Sequence, residues 1–277
     1  MKTYLDKNVY EAALERIAYC FQEFDNVLVA FSGGKDSGVL LNLCYNYADE
    51  HGLLDKLTMY HLDYEAQYQM TTEYVTRTFL EQFPGIRKMW YCVPIKAQSA
   101  CALGEPYWTP WDAAKKKLWV RAMPENPYVV HEGNLDVPFR HGMVDYEFQD
   151  KLSRHFAKKR GTTAVMVGLR ADESLNRYAA VARGKKRRSY EGRKWITQTS
   201  AVTANVYPLY DWRVSDIWTA TARFGFDYNR LYDLLYQAGL TAGQMRVASP
   251  FNDCAQESLK LYKVIDPSNW ARMIGRV

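Results

Sequence analysis

One short stretch constrains this chain more than any other. Ser32-Gly33-Gly34-Lys35-Asp36-Ser37 follows the apolar, β-prone run Asn26-Val27-Leu28-Val29-Ala30-Phe31 and precedes Val39-Leu40-Leu41-Asn42-Leu43-Cys44, which reads as the buried face of a helix. Strand, glycine-rich turn and helix in this order make a cradle for an anion. Paired glycines let the backbone turn tightly and approach a ligand closely. The N–H groups of the turn and of the helix start then point at one spot. Lys35 adds a cation, and Ser32 and Ser37 add hydroxyl donors. The pattern is not GxxxxGK[ST], so this is not a Walker A loop.

The remaining strands and helices alternate. Residues 8–24 carry helical periodicity, and helix 36–50 stops at Gly52. Residues 56–63 read as a second strand, and helix 70–83 ends before Pro84. Strands follow at 86–93, 163–168 and 203–208, with a helix at 146–160 between the first two of these. This order predicts an α/β fold with a doubly wound, mostly parallel five-stranded sheet, Rossmann-like in outline. Right-handed crossovers place the ligand at the carboxyl ends of the strands. The glycine loop lies at such an end, and so do Asp63 and Gly168-Leu169-Arg170. The stretch from about 94 to 145 interrupts the alternation and is rich in Trp, Pro and Tyr, so it reads either as a lid or as a buttress against the sheet. Beyond 212 the chain reads as helical, with Ser215 as an N-cap, Gly225 and Gly239 as stops, and Asp266-Pro267 starting a last helix. The expected organisation is one domain over 1–225 with the insertion inside it, and a helical region over 226–277 packed upon it.

At 277 residues and 48% hydrophobic, the chain can bury a sizeable core. No apolar run approaches the roughly 20 residues that cross a bilayer, and Met1 to Lys7 lacks the apolar stretch of a signal peptide. A soluble cytoplasmic protein without a membrane partner is the expectation. The five cysteines, Cys20, Cys44, Cys92, Cys101 and Cys254, are widely spaced and include no CxxC, which disfavours a disulfide framework or a zinc ribbon. The net charge of +5 is concentrated. Arg183, Lys185, Lys186, Arg187, Arg188, Arg193 and Lys194 face only Glu191 in residues 183–194, as an anion-binding or nucleic-acid-facing loop would. A solvated loop is the plain alternative.

The glycine loop resembles the SGGxDS signature of the PP-loop family, also called the adenine-nucleotide α-hydrolase-like or HUP fold. Gly168-Leu169-Arg170-Ala171-Asp172-Glu173-Ser174, with Arg177, resembles the GxRxxES…R element of its phosphoadenosine-phosphosulfate (PAPS) reductase branch. Tyr207-Pro208-Leu209-Tyr210-Asp211-Trp212, with Asp216-Ile217-Trp218, resembles that branch's PLxDWxxxDVW element. Asp63 stands at the family's xxDTG position, with Tyr64-Glu65 in place of Thr-Gly. The three motifs fall in order at strand ends over residues 25–220, and residues 228–254 resemble the C-terminal segment of a sulfurtransferase-type subgroup.

The resemblance implies an adenine nucleotide, ATP or PAPS, as ligand. Ser32, Gly33, Gly34, Lys35, Asp36, Ser37, Asp63, Gly168 and Arg170 are then its binding residues. Lys35, Asp36, Arg170 and Arg177 act on the reacting phosphate or sulfate. Mg²⁺ accompanies ATP, with Asp36 and Asp172 as candidate ligands. Asp211 braces the site from behind, Trp212 and Trp218 belong to the core, and His61 is a packed strand residue. Relatives that reduce sulfonucleotides add an ECGxH-like cysteine or paired cysteines for an iron–sulfur cluster. This chain has neither motif, so no cluster is expected, and Cys254 is the only late cysteine. Three functions stay open: α–β cleavage of ATP to adenylate an acceptor, PAPS reduction or sulfotransfer, and nucleotide sensing. The last would act with a nucleic acid bound through 183–194 or with a ParB/sulfiredoxin-like protein, which accompanies some members of the subgroup.

Overall fold

The computed structural model describes residues 6–99, 106–182, 189–247, 249–251, 255 and 259–276. Arg183, Lys185, Lys186, Arg187 and Arg188 lie outside the described residues, and so do Cys101 and Cys254. In chain order the first elements are α1 (Val9–Glu23), β1 (Asn26–Ala30), α2 (Lys35–Glu50), β2 (Leu57–Leu62), α3 (Gln69–Glu81) and β3 (Arg87–Cys92). The insertion follows with β4 (Ala97–Gln98), β5 (Tyr107–Trp108) and β6 (Val129–His131). The chain continues through α4 (Asp145–Arg160), β7 (Thr163–Met166), α5 (Leu175–Ala182), β8 (Ser189–Tyr190), β9 (Arg193–Gln198) and β10 (Thr203–Val206). It closes with α6 (Val214–Phe224), α7 (Leu231–Gln237), α8 (Leu259–Ile265) and α9 (Pro267–Ile274).

Eight strands form one sheet in the order β6-β3-β2-β1-β7-β10-β9-β8. All five expected strands are present, and neighbours from β6 to β10 run parallel. β6, β9 and β8 widen the sheet at its two edges, and β9 and β8 run antiparallel there. They escape a periodicity reading because each is short or half-exposed.

Strand order reverses at β1, with β2 on one side and β7 on the other. That is the switch point at which a crevice opens beyond the strand ends. β1 alternates faces as its pleat demands. Val27 and Val29 join the core formed with α1, α2 and α6, and Leu28 joins the one beneath α4. α1 opens with a capping box, Asn8 and Glu11 each accepting the other's backbone N–H. α6 begins at Val214 rather than after Ser215, because the Asp216 carboxylate accepts the Arg213 N–H at 2.7 Å. Gly225 ends it in the left-handed conformation at φ 65°.

The insertion is a buttress. Trp108, Trp111 and Val120 are buried, and β6 pairs with β3. A third core joins Trp108 and Val120 to Ala66 and Tyr68 and to Leu231, Tyr232, Leu235, Phe251 and Tyr262 of the C-terminal elements. The rings of Tyr68 and Tyr262 stack with centroids 3.4 Å apart. Asp266, the N-cap of α9, also accepts the backbone N–H of Gln69 at 2.8 Å. No helix of the described residues is long and apolar enough to cross a membrane.

Candidate functional site

The glycine loop turns directly out of β1. Gly33 sits at φ 77°, where a Cβ would lie 2.9 Å from Val75 Cγ2. Gly34 is the N-cap of α2 and offers it no side-chain acceptor. The first N–H groups of a helix have no intrahelical partner. Here the Lys35 amide donates to the Tyr232 hydroxyl at 3.2 Å. Ser37 Oγ accepts the Ser32 amide at 3.1 Å, donates to the Gly34 carbonyl at 3.1 Å and lies 2.9 Å from Ser32 Oγ. The turn is thus held by its own hydroxyls and leaves a helix start with partial positive charge.

The loop after β7 fits directly onto this start. A Cβ on Gly168 would lie 3.0 Å from the Asp36 carbonyl carbon and from the Ser37 nitrogen, so a side chain there would press on the start of α2. Arg170 follows, buried, and its Nε donates to Asp36 Oδ1. Its Nη1 donates to Asp172 Oδ1, and its Nη2 lies 3.7 Å from Glu173 Oε1. Burial alone would lower the Arg170 pKa, but Asp36, Asp172 and Glu173 outweigh it and raise it. Lys35 Nζ completes the group, 3.0 Å from Asp36 Oδ2 and 5.3 Å from the centre of the Tyr232 ring. Arg177 reaches the same cluster through Glu173, with Nη1 2.5 Å from Oε2. Lys35, Asp36, Arg170 and Arg177 are therefore linked in one cluster, with Glu173 as an organising carboxylate.

The metal expectation for Asp36 and Asp172 gains no support. The two oxygens of Asp36 face Arg170 and Lys35, and Asp172 is engaged by Arg170. The described residues include no group of three or more His, Cys, Asp or Glu placed to hold a metal ion. This donor set does not fit a resident Mg²⁺.

Asp63 stands apart from this cluster. It is 0% exposed, and its carboxylate accepts from Trp90 Nε1 at 2.7 Å, from Arg121 Nη2 at 2.6 Å and from the Glu65 amide at 2.8 Å. Burial pushes its pKa up, but Arg121, His61 and the hydrogen bonds from Arg121 and Trp90 pull harder and leave it lowered. Both of its oxygens are engaged by Arg121 of the insertion. Glu65 follows at φ 65°. It accepts the amides of Trp111 at 2.7 Å and Val120 at 2.9 Å, and Arg276 Nε at 3.2 Å.

The PLxDW-like element serves α1. Arg16 holds Asp211 through both oxygens at 2.7 and 2.8 Å, and Trp212 is buried with its Nε1 donating to the Val9 carbonyl. Trp218 packs edge-on to Tyr228 and Tyr232. His61 is buried, its Nδ1 2.8 Å from the Phe31 carbonyl, and burial lowers its pKa. Of the basic stretch, Arg193 pairs with Glu191 at 2.7 Å and lies over the Tyr19 ring.

A model of the phosphoadenosine phosphosulfate reductase domain matches residues 26–238, from β1 to just past α7, with every residue of the cluster above inside it. The chain belongs to the phosphoadenosine phosphosulfate reductase domain family. A second model, a domain of unknown function (DUF3440), matches residues 239–277. The Escherichia coli (strain K12) protein YbdN is 35% identical over 276 residues, 99% of this chain. The chain spans 66% of that relative's length. Among solved structures, PAPS reductase from Candida auris in a phosphate complex is 14% identical with a TM-score of 0.46, covering 90% of this chain and 97% of that one. FMN adenylyltransferase from Candida glabrata is 14% identical with a TM-score of 0.44, covering 83% and 62%.

Sequence reading of this reductase-family chain misses the contributions of the C-terminal elements. Tyr232 meets the Lys35 amide. Asn229, fully buried, donates to the Gly33 carbonyl at 3.3 Å and to Thr71 Oγ1 at 2.9 Å. Arg246 Nη1 lies 2.7 Å from Glu173 Oε1. These contacts span 73 to 197 positions of sequence, so no local pattern announces them.

Proposed function

We propose that this chain is an adenine-nucleotide-dependent transferase that cleaves ATP between the α and β phosphates and adenylates an acceptor. One observation carries the reading. The start of α2, whose N-cap Gly34 brings no side chain, carries Lys35 and meets Arg170, and Glu173 ties Arg177 and Arg246 to that group, four cations against the three carboxylates of Asp36, Asp172 and Glu173. A helix N-terminus with excess cations is an anion site.

In this reading the loop Ser32–Ser37 wraps the phosphates, and Gly168 lets the chain after β7 close on them. The acceptor's nucleophilic atom forms a bond to the α phosphorus as the bond to the bridging oxygen breaks. Pyrophosphate leaves with that electron pair, and the loop amides, Lys35 and the arginines neutralise the charge that develops. Asp36 acts by orienting Lys35 and Arg170. Mg²⁺ would enter on the nucleotide's own phosphates rather than in a site built from Asp36 and Asp172.

The family match favours a second reading, in which the same loop holds PAPS and the Cys254 thiolate bonds to the sulfate sulfur as the sulfur's bond to the bridging oxygen breaks and 3′-phosphoadenosine 5′-phosphate leaves. Cys20, Cys44 and Cys92 are buried, and burial raises the pKa of each thiol, which weighs against them as nucleophiles. Calorimetry with ATP, PAPS and 3′-phosphoadenosine 5′-phosphate, with and without Mg²⁺, separates the readings. ATP binding that Lys35→Ala abolishes, with pyrophosphate release on adding an acceptor, supports adenylation. Binding of PAPS but not ATP, with turnover lost in Cys254→Ser, replaces it. ATP binding without any turnover would reassign the chain as a nucleotide sensor for a protein or nucleic-acid partner.

A further inference from the structure

Glu173 is a buried carboxylate, its side chain 4% exposed, that faces three guanidinium groups from three parts of the chain. Arg170 comes from the loop after β7, Arg177 from α5, and Arg246 from the segment after α7. The three differ in what they have left to offer. The Arg170 side chain is 4% exposed and is closed in by Asp36, Asp172 and Glu173. Arg177 and Arg246 are 44% and 25% exposed, and their only described ion pairs are with Glu173. A guanidinium carries five N–H donors in a planar fork. One carboxylate that is shared with Arg170 cannot satisfy two more forks, so both present donors and charge outward.

The next residue fixes where Arg246 stands. Val247 packs over Gly34, its Cγ2 3.2 Å from where a Cβ on that glycine would be. Arg246 is thus anchored at one side on the start of α2 and at the other on Glu173. Burial and then Asp36 raise the pKa of the Tyr232 phenol, and Arg246 opposes that rise.

We propose that Arg246 is a ligand-binding residue of the anion site, reading the terminal phosphates or the leaving pyrophosphate, and that Glu173 is the positioning residue that aims it together with Arg177. This rests on the nucleotide reading above and deepens it. It also gives the C-terminal segment matched by the domain of unknown function a role, because that segment supplies one wall of the site.

Inorganic pyrophosphate is the probe, measured by calorimetry against the full chain. Arg246→Ala is expected to weaken pyrophosphate roughly ten- to a hundredfold, the effect of losing a charge-assisted hydrogen bond. Its thermal midpoint without ligand should stay at the wild-type value. Arg246→Lys keeps the charge and loses the fork, and is expected to recover part of the affinity. Hydrogen exchange over residues 229–247 in the absence of ligand should match wild type in both variants. Wild-type binding with undiminished affinity in Arg246→Ala overturns the inference and leaves the nucleotide reading standing. An affinity loss that Lys does not relieve, accompanied by faster exchange over 229–247, makes Arg246 a strut and overturns it too. Failure of the wild-type chain to bind pyrophosphate or ATP overturns both.

Discussion

Two acid–arginine clusters lie at the carboxyl ends of neighbouring strands, and they have opposite characters. The cluster after β1 and β7 holds more cations than carboxylates, borders solvent through Asp172, Arg177 and Arg246, and sits on a helix start with no side-chain cap. The cluster after β2 pairs Asp63 with Arg121 and Glu65 with Arg276, and both carboxylates are fully buried. The first can accept an anion, because its charge is unbalanced and its donors face outward. The second is closed, with each carboxylate oxygen committed to the insertion or the C-terminus. A strand-end carboxylate is a ligand contact only if its lone pairs are not already taken.

The largest expected effect falls on the closed cluster. Glu65→Ala would leave Arg276 buried without its partner and free the amides of Trp111 and Val120. Breaking a buried pair costs ~3–5 kcal/mol, read as a lower urea midpoint. A midpoint within error of wild type would dissolve the contrast between the two clusters. Lys35→Ala should lose ~1.5–3 kcal/mol of ATP affinity with a smaller fall in urea midpoint than Glu65→Ala, because Asp36 keeps Arg170 as a partner. If Lys35→Ala instead unfolds the protein, the open cluster is structural as well.

Gly168→Ala sharpens the comparison from the backbone side. Its Cβ would press on the Asp36 and Ser37 main chain, where nothing flexible can yield. A loss of ~1–3 kcal/mol in stability, as for an overpacked core, should come with weaker ATP binding, measured together by thermal shift and calorimetry. Gly142→Ala, which meets nothing within 4 Å but sits at φ 80°, separates the cost of backbone conformation from the cost of a clash.

The smallest effect is in pH. The folded Asp63 carboxyl is held below its ordinary value, which is about 3.9 in an unfolded chain. Its contribution is therefore full above that value and is lost as pH falls through the lowered folded one. Urea midpoints from pH 7 to pH 3 should fall more steeply for wild type than for Asp63→Asn. Equal slopes would mean that Arg121 does not hold the carboxylate charged.

The parallel core of the sheet was legible because β1, β2, β3, β7 and β10 each form a short apolar run next to a helix with its own punctuation. Gly52, Gly225 and Pro267 stop or start those helices by local backbone chemistry alone. The glycine loop and the Gly168–Arg177 stretch were legible for the same reason, since most of their contacts lie within a few residues or across adjacent strand ends. The edge and insertion strands β4, β5, β6, β8 and β9 were not, each being short or half-exposed.

The order of the five core strands and their helices, the anion-cradling turn after β1, and the family to which the chain belongs are all written in local residue patterns. Which charges end up buried against distant partners is settled by packing. Asp63 and Asp36 look alike in sequence, each an acid just past an apolar strand. Folding buries one against Arg121 and Trp90, and places the other beneath Arg170 and Lys35 at an open helix start. Whether the lone pairs of a carboxylate are free depends on side chains up to 211 positions away, as Glu65 and Arg276 demonstrate. Those partners are brought by packing, which no local pattern of residues encodes.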